Sequence, residues 1–425
     1  MAGNPGYGGV NVQSLRHGPL RQRGEPTGRV DGNSAGPPVL MVARAMHTQA
    51  STSARSRGFS LIELMITMAI SMLIAAALAI LLMKVSETNR EQFKVSQQIE
   101  NGRFATELIG TDLRHAGFYG GFSGLPAIGG ALPDPCDLTL LPDGDVTAAT
   151  TTSPLAFPVQ GLNAATLTSA LAIPAACQTW IDSASLKIGS DMLVVRRFDT
   201  VPLIDLEATP VRASATPASG QIYAQADTVT MNLKRGGGTA IDKTMAADGT
   251  ASTLLRKDYT QALMGAPPLR PTIAAYIRKL HVYIYYVSTC RKGSGTNGKC
   301  LSADDSVPTL KRLELGAPGG APTMTVVPLV EGIEFFKIRY GIDSTTDGAV
   351  DSYTPTPALA DWQNVIQAEV RVVARNVDTS MSTDPKSYDL GSGLTYTPSG
   401  ANAYYKRHLF SQQIYITNVG GPRER

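Results

Sequence analysis

Glu63 is the one charged residue in the 25-residue run Phe59–Met83, FSLIELMITMAISMLIAAALAILLM. A carboxylate in that setting has one chemistry open to it, the neutralisation of a cation. Unpaired near the centre of a spanning helix, an acid costs about 2.5 kcal/mol or more on insertion scales. As a helix rising about 1.5 Å per residue, the run reaches about 37 Å, enough for a hydrocarbon core of about 30 Å. Arg55 and Arg57 precede it, and Lys84, Glu87, Arg90 and Glu91 follow it. A basic flank without acids stays cytoplasmic, so the bulk of the chain faces outward. A secretory signal peptide fits poorly, because its apolar region spans about 7–15 residues and ends at a small-x-small site. A plain signal anchor leaves Glu63 without a role.

Four cysteines, Cys136, Cys177, Cys290 and Cys300, form the second reactive set. An outward-facing compartment is oxidising, so pairing is the default, with three connectivities open. Cys290–Cys300 encloses nine Gly-rich residues and suits a stapled hairpin loop, and Cys136–Cys177 would then pin a long loop. Zinc is the weaker reading, since no CxxC spacing occurs and His281 is the only nearby histidine. Asp343, Thr345, Asp347, Gly348 and Asp351 fall at places 1, 3, 5, 6 and 9 of an EF-hand-like loop, but Thr354 stands where the bidentate Glu belongs. Calcium on Asp343, Asp347 and Asp351 is therefore a weaker candidate than a solvated acidic turn.

Gly293-Ser294-Gly295-Thr296-Asn297-Gly298 matches GxGxxG, yet no helical pattern follows, so it reads as a loop. Tyr283, Tyr285 and Tyr286 with Arg278, Lys279 and His281 could stack single-stranded DNA. An ordinary strand with one aromatic face in the core accounts for them better, and nucleic acid is not expected as a partner. No GxSxG elbow, P-loop or HExxH occurs, and His17, His47, His115, His281 and His408 do not cluster by spacing. The expectation is a protein with no catalytic site, no resident metal and no cofactor.

Helical spacing positions the membrane run. After Met83, Val95, Ile99, Gly102, Ala105, Ile109, Leu113 and Ala116 recur every three or four residues, one apolar stripe. With no proline from Phe59 to Leu125, the spacing predicts one helix over about 59–115, its first half in lipid and its second half packed on a globular domain, with Gly117 as a stop. Gly102 and Gly110 weaken such a helix by up to about 1 kcal/mol each and would admit close packing or mark flexibility. From about 185 the period becomes two: Leu280–Val287, Thr309–Leu315, Ile333–Tyr340, Ala368–Ala374 and Ser411–Thr417 read as strands. The fold class expected is α+β, a long helix on an antiparallel sheet. The Thr/Ala/Pro-rich stretches 120–180 and 205–270 read as loops and short strands, and no internal repeat is found.

The formal charge of +3 divides unevenly: residues 1–58 carry +5, with seven Arg and no Lys, and the remainder carries −2. Residues 1–40 hold nine Gly and five Pro, too few apolar groups to offset ordering entropy. They read as disordered, or as outside the natural protein, with Met41 and Met46 as alternative starts.

Arg57-Gly58-Phe59-Ser60-Leu61-Ile62-Glu63 resembles the cleavage motif of type IV pilins and pseudopilins. The resemblance implies a peptidase cut between Gly58 and Phe59, N-methylation of Phe59, and a Glu63 that pairs with the α-amine of a neighbouring subunit during assembly. The stretches Asn101–Ala105, Asp112–Gly120, Gly189–Arg196, Val282–Val287, Leu329–Glu334 and Arg339–Asp343 resemble minor pilins of the PilW family. That likeness covers roughly 55–425 in pieces. It implies a leader 1–58, a transmembrane half-helix 59–83, an amphipathic half-helix 84–116 and a β-rich periplasmic or extracellular domain 117–425. It further implies priming, assembly and tip structure of type IV pili, with twitching motility, adhesion and DNA uptake as the processes served. The partners implied are prepilin peptidase, other minor pilins, the major pilin, a large tip adhesin, the inner-membrane assembly platform, and lipid before assembly. Such a chain begins as a single pass in the inner membrane, N-terminus cytoplasmic, and ends in the pilus at the cell surface. The alternatives are a minor pseudopilin of type II secretion and an uncleaved bitopic membrane protein.

Overall fold

The computed structural model describes residues 58–423 except 123, 142–143, 148, 151–152, 204–215, 229 and 238–274. The leader, apart from Gly58, and most of the 205–270 stretch lie outside the described residues. The proline-free stretch forms one 55-residue helix, α1 (Leu61–His115). The chain divides within α1 into two units, Met1–Ser71 and Met72–Arg425. The described part of the first is the opening of α1, whose Leu61, Ile62, Met65 and Met68 are exposed.

In the second unit α1 stays exposed on its apolar residues through Val85. It then buries one face through Gln98, Gly102, Ala105, Thr106, Ile109, Gly110, Asp112 and Leu113. The expected stripe began earlier, but Val95 is 40% and Ile99 44% exposed. The amide of Gln98 donates to the carbonyl of Ala374, one residue from the end of a strand, so earlier positions run past the sheet. The helix ends where Gly117 turns left-handed at φ 75°, and its N–H donates to the carbonyl of Arg196 at 3.0 Å.

Two antiparallel sheets receive that face. In the first, β1 (Gly144–Thr147), β5 (Thr230–Arg235), β4 (Ile222–Ala226), β6 (Ile277–Ser288), β3 (Met192–Phe198) and β2 (Val159–Leu162) lie side by side in that order. β6 is long enough to share one edge between two partners. Ile277–Lys279 pairs β4, and Tyr283–Ser288 pairs β7 (Thr309–Gly316), which in turn pairs β8 (Thr323–Glu331). The second sheet orders β10 (Ser352–Thr354), β9 (Ile333–Ile342), β11 (Val365–Arg375) and β14 (Arg407–Tyr415). A hairpin, β12 (Tyr388–Gly391) with β13 (Leu394–Tyr396), and a one-turn helix α2 (Thr417–Gly420) complete the described strands and α-helices, which short 3-10 turns connect.

Period-two alternation divides the apolar side chains between cores. Along β6, Tyr283, Tyr285 and Val287 join Ala105, Ile109 and Leu113 of α1 together with Phe336, Ile338 and Val372 of the second sheet. Leu280, Val282, Ile284 and Tyr286 face a second core with Tyr119, Cys136, Cys177 and Phe198. Phe335 and Val373 point the third way, against Tyr388 and Leu390 of the hairpin. The architecture is the expected α+β arrangement. It differs from expectation at β8, whose Pro328 interrupts a strand pattern. Pro328 is accommodated because β8 pairs β7 alone, with a register shift at that point. The last strand also begins earlier than Ser411 and stops at Tyr415, because Arg407 is buried against Glu334 and Thr417 opens α2.

Gly102 and Asp112 set the docking of α1. A Cβ on Gly102 would lie 2.0 Å from the Phe410 ring of β14, so the glycine serves close approach. Asp112, 5% exposed, spans three strands. Its Oδ1 accepts from Arg197 of β3 at 3.1 Å, and its Oδ2 accepts from Arg312 of β7 at 3.2 Å and from the Tyr285 hydroxyl of β6. Burial and then the Asp112 charge push the Tyr285 hydroxyl up, which keeps it a donor. Burial works against the Arg312 charge, but Tyr285 and Glu314 outweigh it and hold the guanidinium raised. Gly102→Leu should destabilise the domain by about 1–3 kcal/mol through overpacking, and a second change, Phe410→Ala, should recover part of that. Asp112→Ala takes the carboxylate from the largely buried Arg197 and leaves Arg312 with Glu314 alone, and should cost about 3–5 kcal/mol, with Asp112→Asn costing less. Denaturant unfolding of the purified chain, followed by intrinsic fluorescence, measures all four.

Candidate functional site at the head of the long helix

Gly58, Phe59 and Ser60 precede α1 in non-helical conformation and are exposed. The first helical bond runs from the Leu64 N–H to the Ser60 carbonyl at 3.1 Å, which makes Ser60 the boundary residue. Glu63 therefore sits in the first turn, where the free N–H groups and the helix dipole favour a negative charge. Two hydroxyls in the apolar run are satisfied by the helix itself. Thr67 donates to the Leu64 carbonyl at 2.9 Å and Ser71 to the Thr67 carbonyl at 2.7 Å. Glu63 has no such internal partner, and among the described residues nothing pairs with it. Gly58, Phe59 and Glu63 thus share one exposed helix head, with the scissile candidate bond outside the regular hydrogen bonding of α1.

The cysteines form two disulfides, Cys136–Cys177 and Cys290–Cys300. The first ties the 118–186 insertion into the second core. The second closes the loop joining β6 to β7, the loop that carries Gly293–Gly298. Lys311 is buried with its Nζ 3.7 Å from the Cys290 Sγ and 3.8 Å from the Cys300 Sγ. Burial holds that ammonium below its ordinary value despite the Asp305 and Asp304 charges. Among the described residues the one cluster of metal-type ligand atoms is Asp134 with Cys136 and Cys177, whose sulfurs are already joined to each other.

The acidic loop spends its carboxylates on itself. Asp343 accepts from the Asp347 and Gly348 amides and from Arg423 at 3.4 Å. Burial works against its ionisation, but the Gly348 amide and Arg423 prevail and hold it below the usual carboxylate range. Asp351 accepts from Ser344 and Thr345 amides, and Asp347 from the Ala349 amide. Those bonds describe an acidic turn, and the three carboxylates do not converge on a common point among the described ligand clusters. Tyr285 and Tyr286 are buried on opposite faces of β6, and Tyr283 lies beneath Arg312, whose guanidinium is 4.0 Å from its ring. They offer no stacking surface. The helix-docking clamp of Asp112 escaped sequence reasoning, because its partners lie 85, 173 and 200 residues away.

Residues 53–79 match the prokaryotic N-terminal methylation motif, and residues 284–418 match the family model of the type IV pilus-assembly protein W. No curated protein and no solved structure matches the chain. The first match covers the helix head, and the second begins within β6 and runs through the second sheet to α2. α1 is long and apolar enough to cross a membrane, and with the motif it fits an inner-membrane-anchored pilin processed by prepilin peptidase. Both matches point to a structural part of a pilus rather than to an enzyme. One match at the helix head and the other over the sheets that dock the helix together support a PilW-like minor pilin of the type IV pilus.

Proposed function

We propose that this chain is cut between Gly58 and Phe59, methylated on the new amine, and built into the pilus as a minor subunit near its tip. The observation that carries the proposal is the methylation motif over 53–79 with Glu63 as the lone acid of the apolar run. Cleavage removes the charge of Arg55 and Arg57 from the helix head and leaves a chain of 367 residues beginning at Phe59. The freed amine of Phe59 and the carboxylate of Glu63 lie one helical turn apart in sequence, and opposite charges close together in an apolar medium favour each other's ionised form. In assembly, Glu63 of an entering subunit neutralises the amine of its neighbour, and the Leu, Ile and Ala surfaces of adjacent helices replace lipid around 59–83.

On this reading residues 84–116 anchor the helix to the domain 117–425, and the two disulfides hold that domain's long loops in the oxidising compartment. The domain presents lateral surfaces to other minor pilins, to the major pilin and to a large tip adhesin. Prepilin peptidase and the inner-membrane platform act earlier, while the first half of α1 is in lipid. Priming of assembly is the function proposed, with twitching motility, adhesion and DNA uptake downstream of it.

Mass spectrometry of the N-terminus from pilus-bearing cells should find N-methyl-Phe at position 59, and an intact 1–58 segment would overturn the reading. Glu63→Ala should leave that cleavage in place and reduce surface piliation or twitching several-fold. Wild-type piliation in the variant counts against the proposed pairing, and loss of protein export with normal twitching points instead to a secretion pseudopilus.

A further inference from the structure

A second polar site lies on the domain, where chain ends from both sheets meet. Lys187, just before β3, hydrogen-bonds through its backbone N–H to the Val287 carbonyl at 2.9 Å. Thr289 follows β6, Ser306 precedes β7, Arg375 ends β11, and Asn402 and Tyr405 precede β14. These residues line a pocket of about 250 Å³. Two of them are cations, and none is an acid.

Among the described residues neither cation has a carboxylate hydrogen-bonded to it. Arg375 is 7% exposed, and its one side-chain hydrogen bond runs from Nη2 to the Ser306 carbonyl at 3.2 Å. Its Nε is buried without a partner among the described residues, and its guanidinium stacks 4.0 Å from the Tyr405 ring. The Lys187 ammonium lies 5.5 Å from the Phe335 ring centre and makes no hydrogen bond or ion pair with a described residue. The carboxylate acting on both, Glu334, is committed to Arg407 through Nε at 2.5 Å and Nη2 at 3.2 Å. Burial lowers the Lys187 ammonium, Glu334 raises it, and Arg375 and Arg407 lower it again, leaving it below its ordinary value. A buried guanidinium and a half-buried ammonium without a carboxylate are rare, because a desolvated charge needs a counter-charge.

We propose that this pocket binds a small oxyanion, the phosphate or carboxylate group of a compact ligand, between Lys187 and Arg375. The guanidinium supplies a delocalised charge with N–H donors beyond the one given to Ser306, and the ammonium supplies a point charge. The amide of Asn402 and the hydroxyl-bearing Thr289 and Tyr405 on the pocket wall suit neutral polar groups beside the anion. The volume falls below the roughly 300–1,000 Å³ of drug-sized ligand sites, which selects a compact ligand over a nucleotide.

Isothermal titration calorimetry of the full chain in detergent tests the site, with sodium phosphate in one arm and sodium glucuronate in the other. Sodium chloride of matched ionic strength is the blank for both. One-site saturable binding is expected in at least one arm, weakened about tenfold or more by Lys187→Gln, a loss of about 1.4 kcal/mol. Lys187→Arg should retain binding, and Arg375→Lys should weaken it. Heat from phosphate alone assigns a phosphoryl ligand, heat from glucuronate alone a carboxylate, and heat from both a site that reads charge. No saturable heat at millimolar concentration in either arm, or unchanged affinity in Lys187→Gln, overturns the proposal even where Arg375→Lys fails to fold.

Discussion

One helix face docked against two sheets is the constraint from which the rest of the domain follows. α1 carries Glu63 as its one charge before Lys84, and from Gln98 it is one-sided, because there it has a folded partner on one face and solvent on the other. Small residues bring it close: Gly102 and Gly110 face Phe410, Gln412 and Ile414 of β14. The same face supplies Ala105, Ile109 and Leu113 to a core shared with β3, β6, β9 and β11.

Buried charge fixes how the layers meet. Asp112 joins α1 to β3, β6 and β7. Asp191, at the start of β3, accepts from Lys337 of β9 at 2.5 Å and from the Ile338 N–H at 3.0 Å, which joins the two sheets. Arg407 of β14 pairs Glu334 of β9 with 2% of that glutamate exposed. Such pairs add little net stability over apolar packing, but each is costly to half-remove, so each penalises a slipped register. Arg196 is the contrasting case. Fully buried, it satisfies itself on the Phe157 carbonyl and the Gln160 side chain, and burial lowers it to about 10. Lys187 and Arg375 have no comparable arrangement, which sets their pocket apart from the interior.

Much of this was legible in residue order. The residue order predicts the helix to within two residues of its observed start and to its end, because a proline-free apolar run followed by a 3–4 periodic stripe is a strong local signal. The period-two spacing predicts β6, β7, β9 and β11 with ends short by up to three residues. β8 is not legible in the sequence, because Pro328 normally excludes a central strand and only a lone pairing partner makes room for it. Arg407-His408 hid the start of β14 for a related reason: a buried arginine looks like a surface residue until its partner, 73 positions earlier, is known.

By itself, the sequence determined what depends on neighbours along the chain: the membrane-length run, the lone acid five residues after Gly58, the basic flank that orients it, and the helix that carries all three. Those properties follow from hydropathy, charge and a 3.6-residue period, none of which needs a distant contact. Tertiary structure alone decided what depends on residues far apart. It showed that Gly102 is a contact rather than a hinge, that Asp112 is a clamp, and that the Asp343 loop hydrogen-bonds to itself. It also brought Lys187 and Arg375, 188 positions apart, to one pocket without an acid. The physical reason is that burial and charge compensation belong to pairs of residues, and pairing across sheets is set by the fold rather than by spacing.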